Sequence, residues 1–270
     1  LKMSPEEHLA HIKQTIDYAL SKNFTVNLYL EDWSSGMRDS RDYLFMMMDE
    51  LVKLPIKRFL LPDTLGILNP LQCVEYMRQM VRRYPNSHFD FHAHNDYDLA
   101  VSNSLAAVLS GAKGLHVTVN GLGERCGNAP LASVQVILKD MFGAKTNIKE
   151  DRLNDISRLV EGYSGIAVAP NTPVVGDNVF TQVAGVHADG DNKDKLYCND
   201  LVPERFGRHR EYALGKNSGK ANIVQNLNEL GLELTPEQTK AVTKRITELG
   251  DRKELVTQDD LPYIVSDVLK

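Results

Sequence analysis

The chain alternates between short apolar stretches and longer segments in which apolar residues recur every three or four positions. Four of the short stretches lie at residues 24 to 30, 58 to 61, 88 to 91 and 115 to 120. Short apolar runs bounded by polar loops predict β-strands, and the longer spacing predicts amphipathic helices. Strands that alternate with helices at intervals of about thirty residues are typical of an α/β fold with a parallel sheet and right-handed crossovers.

Capping signals mark where several helices begin. Ser4 followed by Pro5 and by Glu7 forms a capping box, and Asn69 precedes Pro70 in the same way. The apolar spacing predicts further helices over residues 44 to 52, 99 to 109 and 131 to 142.

The regular pattern of apolar and polar residues ends at about residue 165, and an irregular segment rich in proline and glycine follows. Capping boxes at Thr235–Gln238 and Thr257–Asp260 then predict two further helices. We therefore expect an α/β domain over residues 1 to 172 and a smaller, largely helical region over residues 173 to 270.

Candidate catalytic side chains follow the predicted strands. In parallel sheets the loops after the strands gather at one end, where chemistry takes place. His92 and His94 are two positions apart at a strand end, so both point to one face and fit either one divalent metal ion or a plain pair of solvated or hydrogen-bonded histidines. Glu31, after the first strand, fits either an exposed charge or a general acid or base. Asp63 and Thr64, after the second, also fit a plain turn.

Composition narrows the function classes. The chain has 31 Lys and Arg against 36 Asp and Glu, with no basic run, so nucleic acid is not an expected partner. No apolar run approaches the length of about 20 residues that a membrane span needs, and the first residues lack a signal-peptide pattern. Three widely separated cysteines indicate neither disulfides nor a CxxC site. We expect a cytoplasmic protein.

Four distinctive segments occur in this order along the chain: HAHND, NGLGERCGN, GVHADGD and LGKNSGK. Together they resemble the isopropylmalate, homocitrate and citramalate synthases, a family of Claisen-condensing acyltransferases with a metal-dependent (β/α)8 TIM barrel. The flanking segments NLYLEDWSSGMRDS, RFLLPDTLGIL and LVPERFGRHREYALGK resemble the citramalate synthase type most. The resemblance implies condensation of acetyl-CoA with a 2-oxo acid, namely pyruvate.

The resemblance also implies roles for particular residues. His92 and His94 would bind a divalent metal ion, Zn, Mn or Mg, with Asn128 as a further contact. Thr64 would hold the carboxylate of the oxo acid, and Tyr29 would line its pocket.

A second group of residues would move the proton of the acetyl methyl group. Glu31 would act there with His187, and a partner subunit would lend His187 and Tyr197 from its helical region. A homodimer follows from that arrangement.

One family motif is missing. The first barrel strand of the family ends in Arg-Asp-Gly, whose Asp binds the metal, and Arg38-Asp39-Ser40 lies after the wrong strand to replace it. Four strands are half of the eight in a TIM barrel. We therefore expect residues 1 to 172 to be the C-terminal half of the catalytic barrel in a longer protein, and residues 173 to 270 to be its linker subdomain.

Other functions fit part of the pattern. A 2-isopropylmalate or homocitrate synthase would use the same residues on another oxo acid. A metal-dependent hydrolase also uses HxH at a strand end, but usually on its first barrel strand. A catalytically inactive half-barrel is the remaining alternative.

Overall fold

A computed structural model describes residues 3–182, 190, 199–254 and 256–270. Its main sheet is parallel, with the strands in the order β1-β2-β3-β4, and helices connect them, so the predicted α/β fold is confirmed. The strands of this sheet are β1 (Val26–Tyr29), β2 (Ile56–Asp63), β3 (Phe89–Ala93) and β4 (Gly114–His116).

One helix precedes β1, and the others fall in the segments between the strands and after β4. Those of the first 150 residues are α1 (Pro5–Ser21), α2 (Trp33–Asp39), α3 (Arg41–Leu51), α4 (Pro70–Arg83), α5 (Ala100–Leu109) and α6 (Leu131–Phe142). Those that follow are α7 (Leu153–Ser164), α8 (Lys220–Glu229), α9 (Pro236–Asp251) and α10 (Leu261–Val268).

Local sequence explains where helices begin. Ser4 and Thr235 each accept a hydrogen bond from the backbone N–H three residues on, and the residue there bonds back, which completes two of the predicted capping boxes. Asn69 forms a box of the same kind that was not predicted. A proline follows each cap, where its fixed φ suits the first helical turn.

The sheet has an apolar face and a polar face. Because side chains alternate along a strand, Phe59, Phe89 and Phe91 share one face, and they are buried with α3, α4 and α5 in one core. The opposite face carries polar side chains in register, with His92 of β3 beside His116 of β4. The apolar face therefore packs the sheet against its helices, and the polar face carries side chains that can take part in binding or catalysis.

Three details differ from the predictions. Residues 33 to 39 form α2, because Trp33 and Met37 lie one turn apart and both are buried. β4 ends at His116, and a short 3-10 helix follows over Val119–Gly121, within which Asn120 has a left-handed φ of 58°. α8 was not predicted, because Gly219 at its start offers no side-chain cap.

The chain separates into two compact units, Leu1–Ile148 and Lys149–Lys270. The second unit holds the short parallel pair β5 (Thr181–Gln182) and β6 (Glu211–Tyr212) and a core formed by α8, α9 and α10. The domain boundary at residues 172 and 173 stays a prediction. Within the part of the chain that the structure describes, no helix has the length and apolar character of a membrane span.

Candidate active site

The polar side chains predicted to be functional gather where the four strands of the first unit end. Tyr29 is the last residue of β1, Thr64 directly follows β2, and His92 is the next-to-last residue of β3. The loop after β4 carries Asn128 back beside β3, where it forms an antiparallel bridge with His94. The parallel topology thus brings residues about a hundred positions apart to one edge of the sheet.

His92 and His94 point to the same side of β3, as predicted. Their ring centroids lie 5.0 Å apart, with the ring planes nearly perpendicular at 86°. The Nδ1 atoms of both rings are buried and have no hydrogen-bond partner within the described residues. Burial, and next the neighbouring His94 and His116, lower the pKa of His92. The lowered pKa favours the neutral form of His92, which is the form that can ligate a metal.

The loop GLGERCGN holds the Asn128 side chain in place through hydrogen bonds to its own backbone. The Asn128 backbone N–H donates to the carbonyl of Gly121, and its Nδ2 donates to the carbonyl of Leu122, both at 2.9 Å. Gly127 has a φ of +81°, and a Cβ there would collide with the carbonyl oxygen of Gly121, so only glycine fits. The Asn128 Oδ1 is buried and has no hydrogen-bond partner among the described residues.

These three residues fit a divalent metal ion. Two imidazoles and one amide oxygen lie at this edge of the sheet with unpaired, buried atoms that can donate an electron pair, an arrangement that is unfavourable unless something binds there. The described residues hold no group of three or more His, Cys, Asp or Glu side chains arranged for a metal. The set is thus two histidines and an asparagine, and a complete coordination shell needs further ligands.

Glu31 and Thr64 form a second pair beside the histidines. The Thr64 hydroxyl donates to Glu31 Oε1 at 2.9 Å and accepts from the Asp32 N–H at 3.0 Å. The Glu31 side chain is exposed in the described unit, so its immediate neighbours do not desolvate it. Tyr29 is half-exposed, and burial, and next the charge of Glu31, raise the pKa of its phenol.

Asp63 has a structural role. It is fully buried, and its two carboxylate oxygens accept hydrogen bonds from the N–H groups of Ile67 and Leu68 at 3.0 and 3.1 Å. Burial raises the pKa of this carboxyl group, and these hydrogen bonds partly offset that effect. This is the turn-forming alternative that the sequence left open for Asp63.

The polar face also holds residues that sequence reasoning missed. Asp90 is only 2% exposed, and it contacts Arg58 at 3.1 Å, His88 at 2.8 Å and His116 at 3.4 Å. The other ring nitrogen of His116, Nδ1, lies 3.4 Å from the Tyr29 hydroxyl. A signal was present, because His116 is in register with His92 and therefore shares its face.

Two predicted catalytic residues are not part of this geometry. His187 and Tyr197 lie outside the described residues. Their roles stay predictions.

Comparison with known proteins gives a consistent family. A family model described as HMGL-like matches residues 1–160, and a homocitrate synthase post-HMGL domain-like model matches residues 174–254. The whole chain is 37% identical to a putative (R)-citramalate synthase and 39% identical to a probable 2-isopropylmalate synthase, both of Methanopyrus kandleri. It covers 52% and 53% of those two proteins, so the chain spans about half the length of the curated relatives it matches.

A third relative and a solved structure extend the comparison. A probable 2-isopropylmalate synthase of Ignicoccus hospitalis is 35% identical over the whole chain, which covers 67% of that protein. The crystal structure of the Bacillus subtilis HMG-CoA lyase matches with a TM-score of 0.57 and 23% identity, over 64% of this chain and 60% of that one. The structural likeness concerns the fold. The chain belongs to the HMGL-like family, among the isopropylmalate, homocitrate and citramalate synthases that the sequence resembles.

Proposed function

We propose that the full-length protein condenses acetyl-CoA with pyruvate to give citramalate. The observation that carries this proposal is that His92, His94 and Asn128 each have an unpaired, buried ligand atom at the same edge of the sheet as the Glu31–Thr64 pair. A Claisen condensation needs an electrophilic centre and a base within reach of one another. This edge of the sheet offers residues for both.

His92, His94 and Asn128 would hold a divalent ion, which would polarise the ketone and stabilise negative charge on its oxygen. Glu31, together with His187, takes a proton from the acetyl methyl group. The methyl carbon then bonds to the ketone carbon, and the ketone oxygen becomes the hydroxyl of the product. Water hydrolyses the thioester and releases CoA. Tyr197 completes the site as a further catalytic residue.

Thr64 connects substrate binding to the base. A hydroxyl has one proton, and that of Thr64 is donated to Glu31. If Thr64 holds the oxo-acid carboxylate, its hydroxyl turns from Glu31 to the substrate, and Glu31 Oε1 is then open to accept a proton from the acetyl methyl group. Tyr29 lines the same pocket, beside the His92 ring at a centroid distance of 6.2 Å.

We further propose that the four strands are the C-terminal half of an eight-stranded barrel in a longer protein. Within the described residues β1 and β4 are the edge strands of the sheet, and an open parallel sheet of this kind is normally covered or closed. The missing half would supply a carboxylate ligand for the metal. In this proposal residues 173 to 270 form a linker subdomain in a cytoplasmic homodimer, and His187 and Tyr197 act in the partner's site.

The oxo acid is the least constrained part of the proposal. The second candidate is 2-oxoisovalerate, since 2-isopropylmalate synthases are as similar to the chain as citramalate synthases. A hydrophobic pocket distinguishes substrates that differ by one methylene by only about 1 to 3 kcal/mol. Few pocket residues would therefore decide between the two acids.

The test is release of CoA thiol from acetyl-CoA by the full-length protein with added Zn, Mn or Mg. Pyruvate, 2-oxoisovalerate and 2-oxoglutarate are compared as second substrates. Release that depends on pyruvate supports a citramalate synthase, and preference for 2-oxoisovalerate would replace it with a 2-isopropylmalate synthase. No release with any acid would refute the condensation and favour an inactive half-barrel.

A further inference from the structure

Arg125 links three of the four loops at the carboxyl end of the sheet. Its Nε and Nη2 donate to the two carboxylate oxygens of Asp96 at 2.7 and 2.9 Å, which joins the loop after β4 to the loop after β3. The same Nη2 donates to the backbone carbonyl of Thr64 at 2.7 Å, which adds the loop after β2. A planar guanidinium makes such a forked contact with fixed geometry, which an ammonium group does not.

Unusual backbone conformations at Arg125 and Gly66 permit this close contact. Arg125 itself has a φ of +55°, a conformation that non-glycine residues seldom adopt. Gly66 has a φ of +61°, and a Cβ there would lie 2.9 Å from Asp96 Oδ2 and 3.1 Å from the carbonyl oxygen of His94. Glycine at position 66 therefore lets the loop after β2 approach the Asp96 side chain closely.

The hydrogen bonds continue from Thr64 to the loop after β1. The Thr64 side chain accepts from the Asp32 N–H and donates to Glu31. One connected path thus runs from Asp96 through Arg125 and Thr64 to Glu31, and it touches all four strand-end loops. It does not include the three unpaired ligand atoms of the proposed metal site.

Stability alone does not explain this arrangement. The side chains of Arg125 and Asp96 are 38% and 22% exposed, and ion pairs with such access to water contribute little to folding. A comparable forked pair joins Arg83 to Asp49 at 3.1 and 2.7 Å on the helices, away from the strand ends. That pair offers a matched control for the chemistry of the contact.

We propose that Arg125 and Asp96 are positioning residues that hold Thr64 in place for the reaction. This inference rests on the proposed function for its catalytic consequence. Arg125 acts on the carbonyl of Thr64, so its loss lets the Thr64 backbone shift and moves the hydroxyl that holds the oxo-acid carboxylate in the proposed site. Displacements of about 1 Å at a reacting group lower turnover by up to about 100-fold.

The experiment compares Arg125→Lys with Arg83→Lys in the full-length protein. For Arg125→Lys we expect kcat to fall by about 10- to 100-fold while the bound metal per subunit stays at the wild-type value. For Arg83→Lys we expect the wild-type kcat. Amide hydrogen exchange gives a second readout: exchange at the Asp32 N–H should accelerate in Arg125→Lys only, because its acceptor is the Thr64 hydroxyl.

Turnover and amide exchange together distinguish failure of the positioning role from failure of the proposed function. If the wild-type protein is active and Arg125→Lys has the same kcat, the positioning role is overturned and the proposed function remains intact. Loss of metal in Arg125→Lys would also overturn it, because the residue would then act on the metal site. If the wild-type protein has no turnover, the proposed function fails. Unchanged exchange at Asp32 would then overturn the positioning role as well.

Discussion

Thr64→Val removes the one hydroxyl that connects the proposed substrate site to Glu31. Valine keeps the β-branched shape, so packing around this half-buried position is retained. The substitution deletes the acceptor for the Asp32 N–H and the donor to Glu31, which lie at 3.0 and 2.9 Å. Because Glu31 is exposed, water replaces its lost partner, and we expect the free energy of unfolding to fall by only about 1 to 2 kcal/mol.

The effect on turnover should be larger. A hydrogen bond to a charged group contributes about 1.5 to 3 kcal/mol, and each 1.4 kcal/mol is a factor of ten. If Thr64 holds the carboxylate of the oxo acid, kcat/KM for the oxo acid should fall about 10- to 100-fold. The KM for acetyl-CoA should not change, because this substrate does not use the Thr64 hydroxyl.

The assay is the initial rate of CoA release as the concentration of each substrate is varied in turn. Thr64→Ser keeps the hydroxyl and loses one methyl group, so it is the matched control and should retain most of the activity. A valine variant with the wild-type kcat/KM would refute the role of the hydroxyl. A serine variant as impaired as the valine variant would show that packing, rather than hydrogen bonding, matters at this position.

Three further predictions concern other parts of the chain. His92→Ala in the full-length protein should abolish turnover and lower the metal bound per subunit, measured by mass spectrometry of the metal, because one imidazole ligand is removed; wild-type metal content would contradict the site. Iodoacetamide at about pH 9, where an ordinary thiol is ionised, should alkylate exposed Cys126 but spare Cys73, because burial raises the pKa of the Cys73 thiol to about 12. Rapid labelling of Cys73 in peptide maps of the folded protein would show that this thiol is accessible. Glu150→Gln should lower the free energy of unfolding by about 1.5 to 3 kcal/mol in chemical denaturation, because it removes the negative charge that accepts two hydrogen bonds from Arg205 in a mostly buried ion pair; an unchanged denaturation midpoint would show that the charge of Glu150 does not contribute to stability.

Part of the fold could be predicted because its signals are local. A Ser, Thr or Asn cap with a bonding partner three residues on identifies a helix start within four residues, as at Ser4 and Thr235. The helix α2 lacked such a signal: its sequence is rich in small and polar residues, and burial of Trp33 and Met37 stabilises it. Tertiary packing decided that element, and packing cannot be seen in a short window of sequence.

The candidate site likewise contains residues that the sequence pattern predicts and residues that only the structure reveals. The strand period placed His92 and His94 on one face, and the register of a parallel sheet could have added His116. The contact between Asp96 and Arg125 joins residues 29 positions apart on two loops. Neither side chain carries a periodic or capping signal, so only the three-dimensional approach of the loops reveals their pairing.

The most direct test of the account follows a carbon label through the reaction. The full-length protein is given acetyl-CoA labelled with carbon-13 at the methyl group, together with pyruvate and a divalent metal ion, and the products are analysed by NMR spectroscopy. A condensation predicts that the label appears in the methylene group of citramalate, which requires a new bond between the acetyl methyl carbon and the ketone carbon. Label found only in free acetate would show hydrolysis of the thioester without carbon–carbon bond formation, and it would contradict the proposed function.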